Sequence, residues 1–283
     1  GIKNIIVAIN KMDLIKYEEL RFQEIVSNYE LFSLSIGIEN PSYIPISGIH
    51  GDNVVSISKN MNWYRGPSLL ELLEDIDLED QTSQSQPFRM PVQLVNRPNS
   101  DFRGVSGKPA SGYISRNDEI AVFPSGKKAR VKEIITPSGA AEQSSLSQSI
   151  TLTFMDEIDC SRGHVISSAN SPLEISDQLE ATIIWMHENS LVPGRSYHLK
   201  IGCLELQASC SQPKYKINIE TNEHTAAKNL ELNELGVVII TTIHEIPFTS
   251  FQESRDIGGF ILIDKSSNIT VAAGLINFAL RRS

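Results

Sequence analysis

The sequence predicts an α/β plus all-β chain: part of an open α/β sheet, then two small β-barrels. Three observations carry this. Residues 1–80 alternate between strand-like and helix-like apolar patterns. Residues 75–86, DIDLEDQTSQSQ, are acidic and then rich in Ser and Gln, with few apolar residues, as in a linker. Beyond them, short β-type runs recur between turn clusters, in two series separated by a break at residues 168–177. The expected domains are residues 1–80, 87–170 and 177–278.

Lys3 to Ile9 is apolar nearly throughout, as expected of a parallel strand covered on both faces. Tyr17 to Asn28 is predicted as a helix, with Phe22, Ile25, Val26 and Tyr29 at helical spacing and Glu18, Glu19, Arg21 and Glu24 facing water. Ser42 to Ser47 is a second short strand ending at Gly48, and Gly66-Pro67-Ser68 opens a helix through Leu69, Leu70, Leu72 and Leu73. The first barrel is expected to use RMPVQLV, GYIS, EIAVF, ARVKEII and SITLTF. The second is expected to use ATIIWM, SYHLKIG, LELQASC, YKINIE, LGVVIIT, GGFILID and TVAAGLI.

Composition bounds the function classes. The chain has 283 residues, 40% hydrophobic and 21% charged, which suits two or three domains of ordinary globular character. No apolar run approaches the ~20 residues of a membrane span. The net charge of -9 argues against a broad nucleic-acid footprint. Three scattered cysteines, Cys160, Cys203 and Cys210, do not make a disulfide framework or a metal knuckle, and suggest reduced packing residues of a cytoplasmic protein. The opening Gly1-Ile2-Lys3, with no initiator Met or signal peptide before the first strand, suggests a cut inside a longer protein.

The chemistry lies where the first strand ends. Ile5 to Ile9 stops at Asn10, Lys11 and Asp13, in IIVAINKMDL. In an open α/β sheet, ligands sit beyond the carboxyl ends of the strands. An Asp carboxylate there can accept two hydrogen bonds from a guanine edge, from the ring N–H and the exocyclic amine. Adenine offers no such donor pair and would leave the carboxylate unpaired. Lys11 can lay its aliphatic stem over the base, and the Asn10 amide can pin the loop. The second strand end, Ile46-Ser47-Gly48, places a backbone N–H to donate to the guanine carbonyl, and Gly48 suits a close backbone approach. An isolated NKxD is equally well a helix N-terminus capped by Asn10 or Asp13. A strand before it, a helix after it and a second Ser-Gly strand end favour the guanine site.

Other polar groups carry less. His187 and His224 have no accompanying nucleophile motif and are read as surface or barrel-packing residues. Asp156, Glu157 and Asp159 are read as a solvated loop, His50-Gly51-Asp52 as a turn, and Trp63 and Trp185 as core anchors. RDIGGF, residues 255–260, is read as packing between barrels or an interface. No catalytic residue and no metal ligand is assigned.

NKMD and the Ser-Gly end resemble the last two of the five nucleotide motifs of the translation-factor-like GTPases. ASGYISRNDEIAVFPSGKKARVKEI, with Asn117-Asp118 at its turn, and IDCSRGHVI resemble that family's second domain. A finer resemblance is to the GTPase subunits of bacterial ATP sulfurylase (sulfate adenylyltransferase). It rests on ISGIHGDNV, MNWYRGPSLLELLE, PFRMPVQLVNRPNSDFRGVSG, ATIIWMHENSLVPGRSYHLKIG, KYKINIETNEHTAAKNLELNELG and RDIGGFILIDKSSNITVAAGLI. The final NFALRRS resembles the junction to a fused C-terminal adenylylsulfate kinase.

The resemblance implies the C-terminal half of a P-loop GTPase domain followed by two barrels. It also implies GTP bound through Asn10, Lys11, Asp13, Ser47 and Gly48, and coupling of GTP hydrolysis to adenylylsulfate formation. The implied partner is the catalytic subunit, sulfate adenylyltransferase subunit 2, with no nucleic acid and no membrane. No G-x-x-x-x-G-K-[ST] run occurs in these residues. The Gly107-Lys108 and Gly126-Lys127 pairs are read as barrel turns. The phosphates and Mg²⁺ are therefore expected to be held by a segment upstream, and these residues by themselves are expected to be inactive. Two other readings share the motifs: a translation elongation factor-like GTPase that binds tRNA, and an inert binding module.

Overall fold

The computed structural model describes residues 4–280 apart from 39, 77–84, 100–101, 145, 147, 220 and 222. It divides into two units, Gly1–Asp80 and Gln81–Ser283. Lys3, the expected start of the first strand, and most of the expected linker at residues 75–86 lie outside the described residues.

In the first unit, β1 (Ile6–Ile9) pairs in parallel with β2 (Ser42–Pro45), Ile6 against Ser42 through Ile9 against Pro45. The intervening helix α1 (Glu19–Ser35) makes the crossover. A small core gathers Ile9, Met12, Phe22 and Met61, with Ile25, Val26, Tyr43 and Trp63 packed on it. Trp63 lies 5.3 Å from the Phe22 ring and donates from Nε1 to the Tyr17 carbonyl at 2.9 Å.

Two expectations are corrected here. The strand is not covered on both faces, since Ala8 is exposed and Ile6 and Val7 are half-buried. The helix does not stop at Asn28. It runs on through NYELFSLS until Gly37 adopts a φ of 73°, and the Gly37 and Ile38 N–H groups bond back to the Leu34 and Ser33 carbonyls. The polar Ser27-Asn28 pair looked like an ending, but only a residue free to take the left-handed conformation supplies one. Helix α2 (Leu69–Asp75) begins at Ser68, whose hydroxyl accepts from the Glu71 N–H while Glu71 Oε2 accepts from the Ser68 N–H: a reciprocal capping box.

The second unit holds two closed six-stranded antiparallel barrels. The first uses β3 (Arg89–Asn96), β4 (Gly104–Gly107), β5 (Glu119–Phe123), β6 (Lys127–Thr136), β8 (Ile150–Phe154) and β9 (Val165–Ser168), with short β7 (Gly139–Ala141) alongside. Its order is β5-β9-β3-β4-β8-β6, closed by β5 against β6. The second uses β10 (Glu174–Trp185), β11 (Ser196–Ile201), β12 (Leu204–Cys210), β15 (Leu235–Phe248), β16 (Gly259–Asp264) and β17 (Thr270–Ala279). Its order is β10-β17-β16-β11-β12-β15, closed by β10 against β15, with β13 (Tyr215–Ile217) and β14 (His224–Thr225) added at the side.

The barrel interiors take the alternate apolar residues: Val92, Ile120, Val131, Leu152 and Ile166 in the first, Leu179, Ile183, Tyr197, Leu199, Ile240 and Leu262 in the second. Burial pushes the Cys160 thiol up to about 11 and the Cys210 thiol up to about 12, so both act as apolar packing groups.

Two expected strands differ. GYIS is not a strand. Gly112 has a φ of 60°, and a Cβ there would lie 2.5 Å from the Gln86 carbonyl oxygen, so the chain turns at a close backbone contact. YKINIE pairs only as far as Ile217. β4 was not expected, because GVSG has little strand propensity. Its glycines meet a packing demand, since a Cβ on Gly107 would lie 2.3 Å from the Pro91 carbonyl oxygen.

The barrels are joined by an apolar cluster. Ala121, Phe123 and Val165 of the first barrel and Leu173 of the connection meet Ile257 of a one-turn helix, α3 (Arg255–Gly258). RDIGGF thus turns its apolar side chain inward between the barrels. Buried Arg89 reinforces the joint by donating to the Ser171 carbonyl and, at 3.2 Å, to the Ser171 hydroxyl.

Candidate functional site: the polar end of the parallel sheet

The parallel strands deliver two loops to one place. β1 ends at Asn10-Lys11 and enters a one-turn 3-10 helix, Met12–Ile15; Lys11 sits at φ 66°, ψ 32°. Met12, 1% exposed, drives this turn into the core, and its N–H donates to the Ile46 carbonyl at 3.2 Å. Past β2 the chain runs through Ile46, whose N–H donates to the Ile9 carbonyl at 2.8 Å, to Ser47-Gly48. All five residues singled out from the sequence are thereby brought to one sheet end.

Their side chains interlock. Asn10 Oδ1 accepts from the Lys11 N–H at 2.7 Å and from the Gly48 N–H at 3.0 Å, tying the first loop to the second. Buried Ser47 donates its hydroxyl to Asp13 Oδ1 at 2.7 Å and accepts from the His50 N–H at 3.4 Å. Asp13 Oδ2 and Asn10 Nδ2 have no hydrogen-bond partner among the described residues, and the Lys11 side chain is exposed. One carboxylate oxygen is therefore fixed and the other is left open to a donor. The expectation for Gly48 changes in detail: its N–H is held by Asn10 Oδ1, so a base carbonyl would share that donor. A Cβ there would find nothing nearer than 3.5 Å, so space does not require the glycine.

A second layer was missed in the sequence. Asp52, read as part of a turn, accepts from the Tyr17 hydroxyl at 2.9 Å, the Ser58 hydroxyl at 2.5 Å and Asn60 Nδ2 at 3.2 Å. The Ser58 bond, then the Tyr17 and Asn60 bonds, hold its carboxyl below the usual range against the opposing cost of partial burial. The bond to Asp52 in turn raises the Tyr17 phenol. Asn53, fully buried at φ 56°, donates to the Pro45 carbonyl at 2.9 Å and accepts from the Ser58 N–H at 2.7 Å. These bonds hold the 48–58 loop, and so the Ser47 hydroxyl, in register with Asp13. The signal was present in HGDN, whose Gly-Asp-Asn is dense in residues that fold loops by side-chain bonding.

Elsewhere, His187 Nδ1 accepts from the Asn189 N–H at 3.0 Å, and His224 stacks on Tyr215 at 4.1 Å. Trp185, 2% exposed, is a core residue that donates to the Asn189 carbonyl at 2.7 Å. Asp156, Glu157 and Asp159 are exposed. Among the described residues, no group of three or more His, Cys, Asp or Glu is placed to hold a metal ion, and no helix is long and apolar enough to cross a membrane.

The fold is shared with solved structures, among them the translation elongation factor SelB of Methanococcus maripaludis, which matches 98% of the chain, and 59% of its own, with a TM-score of 0.59 at 19% identity. Residues 178–277 match the GTP-eEF1A C-terminal domain-like family. The crystal structure of Sup35 complexed with GMPPNP matches 99% of the chain, and 70% of its own, with a TM-score of 0.66 at 24% identity, a likeness of fold.

Closer relatives follow from sequence. The chain is 43% identical over all 283 residues to the bifunctional enzyme NodQ of Rhizobium sp. (strain N33), spanning 44% of that protein. It is 40% identical over 283 residues to sulfate adenylyltransferase subunit 1 of Saccharophagus degradans, spanning 60% of it. The chain thus covers about half the length of the curated relatives it matches, and its homology to NodQ and to sulfate adenylyltransferase subunit 1 extends along its whole length.

Proposed function

We propose that this chain is part of the GTPase subunit of a sulfate adenylyltransferase, coupling GTP hydrolysis to formation of adenylylsulfate from ATP and sulfate in the cytoplasm. The observation that carries the reading is identity of 40% and 43% held across the entire chain to proteins of those names. The sheet-end geometry agrees with it. Asp13 Oδ2 would accept from the guanine ring N–H and amine, Asn10 Nδ2 and the Gly48 N–H would serve the base's acceptors, and Lys11 would cover its face. The Ser47 hydroxyl occupies Asp13 Oδ1, which would leave Oδ2 for the base.

The phosphates and Mg²⁺ would be held outside these residues, which contain no phosphate-cradling Gly-Lys-Ser/Thr run. The partner would be the catalytic subunit, which binds ATP and sulfate. The word bifunctional in the NodQ name agrees with an adenylylsulfate kinase following the second barrel. Sulfate is a poor nucleophile and its adenylyl anhydride has a high transfer potential. An external energy input is therefore needed, and it acts only through a contact that differs between nucleotide states.

The test uses the full-length protein with the catalytic subunit of the same organism. Sulfate-dependent pyrophosphate release from ATP is followed with GTP, with GMPPNP and with neither. GTP should raise the yield of adenylylsulfate and GMPPNP should not. A yield indifferent to GTP, or tight retention of aminoacyl-tRNA on a filter, contradicts the reading.

A further inference from the structure

The second barrel carries an open seam. β12 pairs with β11 from Ser209 against Ser196 to Leu204 against Ile201. Its other edge pairs with β15 only at Ala208–Thr242, Ser209–Thr241 and Cys210–Ile240. Continuing that register would set Gln207 against Ile243, Leu206 against His244 and Glu205 against Glu245, but no such pairs form. β15 bulges away instead, and its pairing with β10 lapses over the same stretch, between Gln178–Thr241 and Ser176–Ile246. The Thr242 hydroxyl fixes the bulge by donating to the His244 carbonyl at 2.7 Å. Ile243 at its crest is left 57% exposed.

The gap between the parted strands is a cavity of about 510 Å³. Its lining is mainly apolar, with Leu204 and Leu206 on one strand and Ile243 on the other. Its carboxylates are those of Glu205, 3.8 Å from His198 Nδ1, and Glu245; His164 and His244 also line it, and no Lys or Arg does. The first barrel closes one side. Gly163, at φ 92°, comes so near that a Cβ on it would lie 3.1 Å from Leu204 Cα.

A strand edge with no strand against it is a template for another chain. Such sites take affinity from main-chain hydrogen bonds and selectivity from alternate side chains. Four residues of edge, Leu204 to Gln207, accept about four residues of extended peptide at roughly 3.3 Å each.

We propose that the seam between β12 and the bulge of β15 accepts an extended segment of a partner protein as an added strand. An apolar side chain of that segment seats on Leu204, Leu206 and Ile243, and adjacent Lys or Arg side chains meet Glu205 and Glu245. The charge of the lining selects a basic segment over an acidic one. The inference is independent of the enzymatic role proposed above.

The probe is a fluorescent hexapeptide alternating leucine with lysine. It is compared with its glutamate counterpart and with forms N-methylated at alternate amides in either register. The lysine peptide should bind the 283-residue chain saturably, and its glutamate counterpart about tenfold or more weaker. N-methylation in one register alone should abolish binding. Bound peptide should slow amide exchange at 204–207 and 243–245. Ile243→Arg and Glu245→Lys, both at exposed positions, should each weaken binding about tenfold with the melting temperature unchanged. The proposal is overturned by absence of saturable binding at millimolar peptide, by equal affinity for lysine and glutamate peptides, by indifference to N-methylation in both registers, or by protection elsewhere.

Discussion

Replacing Ile257 with alanine should loosen the two barrels from each other before it loosens either one. Ile257 is 2% exposed and packs on Ala121, Phe123, Val165 and Leu173, residues outside the second barrel's own interior. Truncating a buried Ile to Ala costs about 2–5 kcal/mol, the range reflecting how far the site can collapse. The lower half of that range is expected here, because two barrels meeting at an interface can shift more readily than a closed interior. In a unit of this size each kcal/mol moves the midpoint by roughly 2–4 °C, which gives a fall of about 4–14 °C. Calorimetry of wild type and Ile257→Ala measures it, with Ile243→Ala as control, since its side chain is 57% exposed and its removal should be near neutral. A separation of the barrel transition into two, or a fall within that window, fits the reasoning. A fall under about 2 °C with a single unchanged transition refutes it.

Two further outcomes follow from the first unit. Ser68→Ala removes one half of the capping box on α2 and should cost about 0.5–2 kcal/mol, read from the denaturant midpoint of a probe at Trp63. Asp52→Asn should flatten the acid sensitivity of the same probe. The carboxyl of Asp52 is held lower in the folded chain than its unfolded value of about 3.9, so its contribution is present above that pH and is lost as pH falls through the folded value. Wild type should therefore weaken more than the variant below about pH 4, and parallel acid profiles would remove Asp52 from this role.

Much of the architecture could be read in the residues themselves. LELQASC marks β12 to the residue by alternation of apolar and polar positions, and EIAVF marks β5 as a continuous apolar run, buried on one face in the barrel and on the other in the cluster between the barrels. β4 was hidden because its glycines answer contacts from Pro91 and Thr151, which no local pattern records. The sheet end was legible for a similar reason to the strands: an apolar strand that stops in Asn-Lys-Met-Asp leaves polar groups needing partners. The bonds that orient them were not legible. Asp52 meets Tyr17 across 35 positions of sequence, and Ser47 meets Asp13 across 34, so only the folded chain brings them together. The open seam escaped notice because β12 and β15 each look like ordinary strands. It arises from where their pairing stops.

The most direct test of the proposed guanine site is nucleotide choice by the Asp13→Asn variant of the full-length protein. Asp13 Oδ2 has no protein partner among the described residues, and Ser47 holds the other oxygen at 2.7 Å, so in the proposed reading Oδ2 would accept from the base amine. The amide that replaces it presents a donor, which suits the xanthine carbonyl in place of the guanine amine. Titration of GTP and xanthosine triphosphate against wild type and variant should show GTP affinity falling about tenfold or more, the worth of a charge-assisted hydrogen bond. Xanthosine triphosphate affinity should rise over the same pair. An undiminished preference for GTP in Asp13→Asn would contradict the assignment of this sheet end as the site that reads guanine.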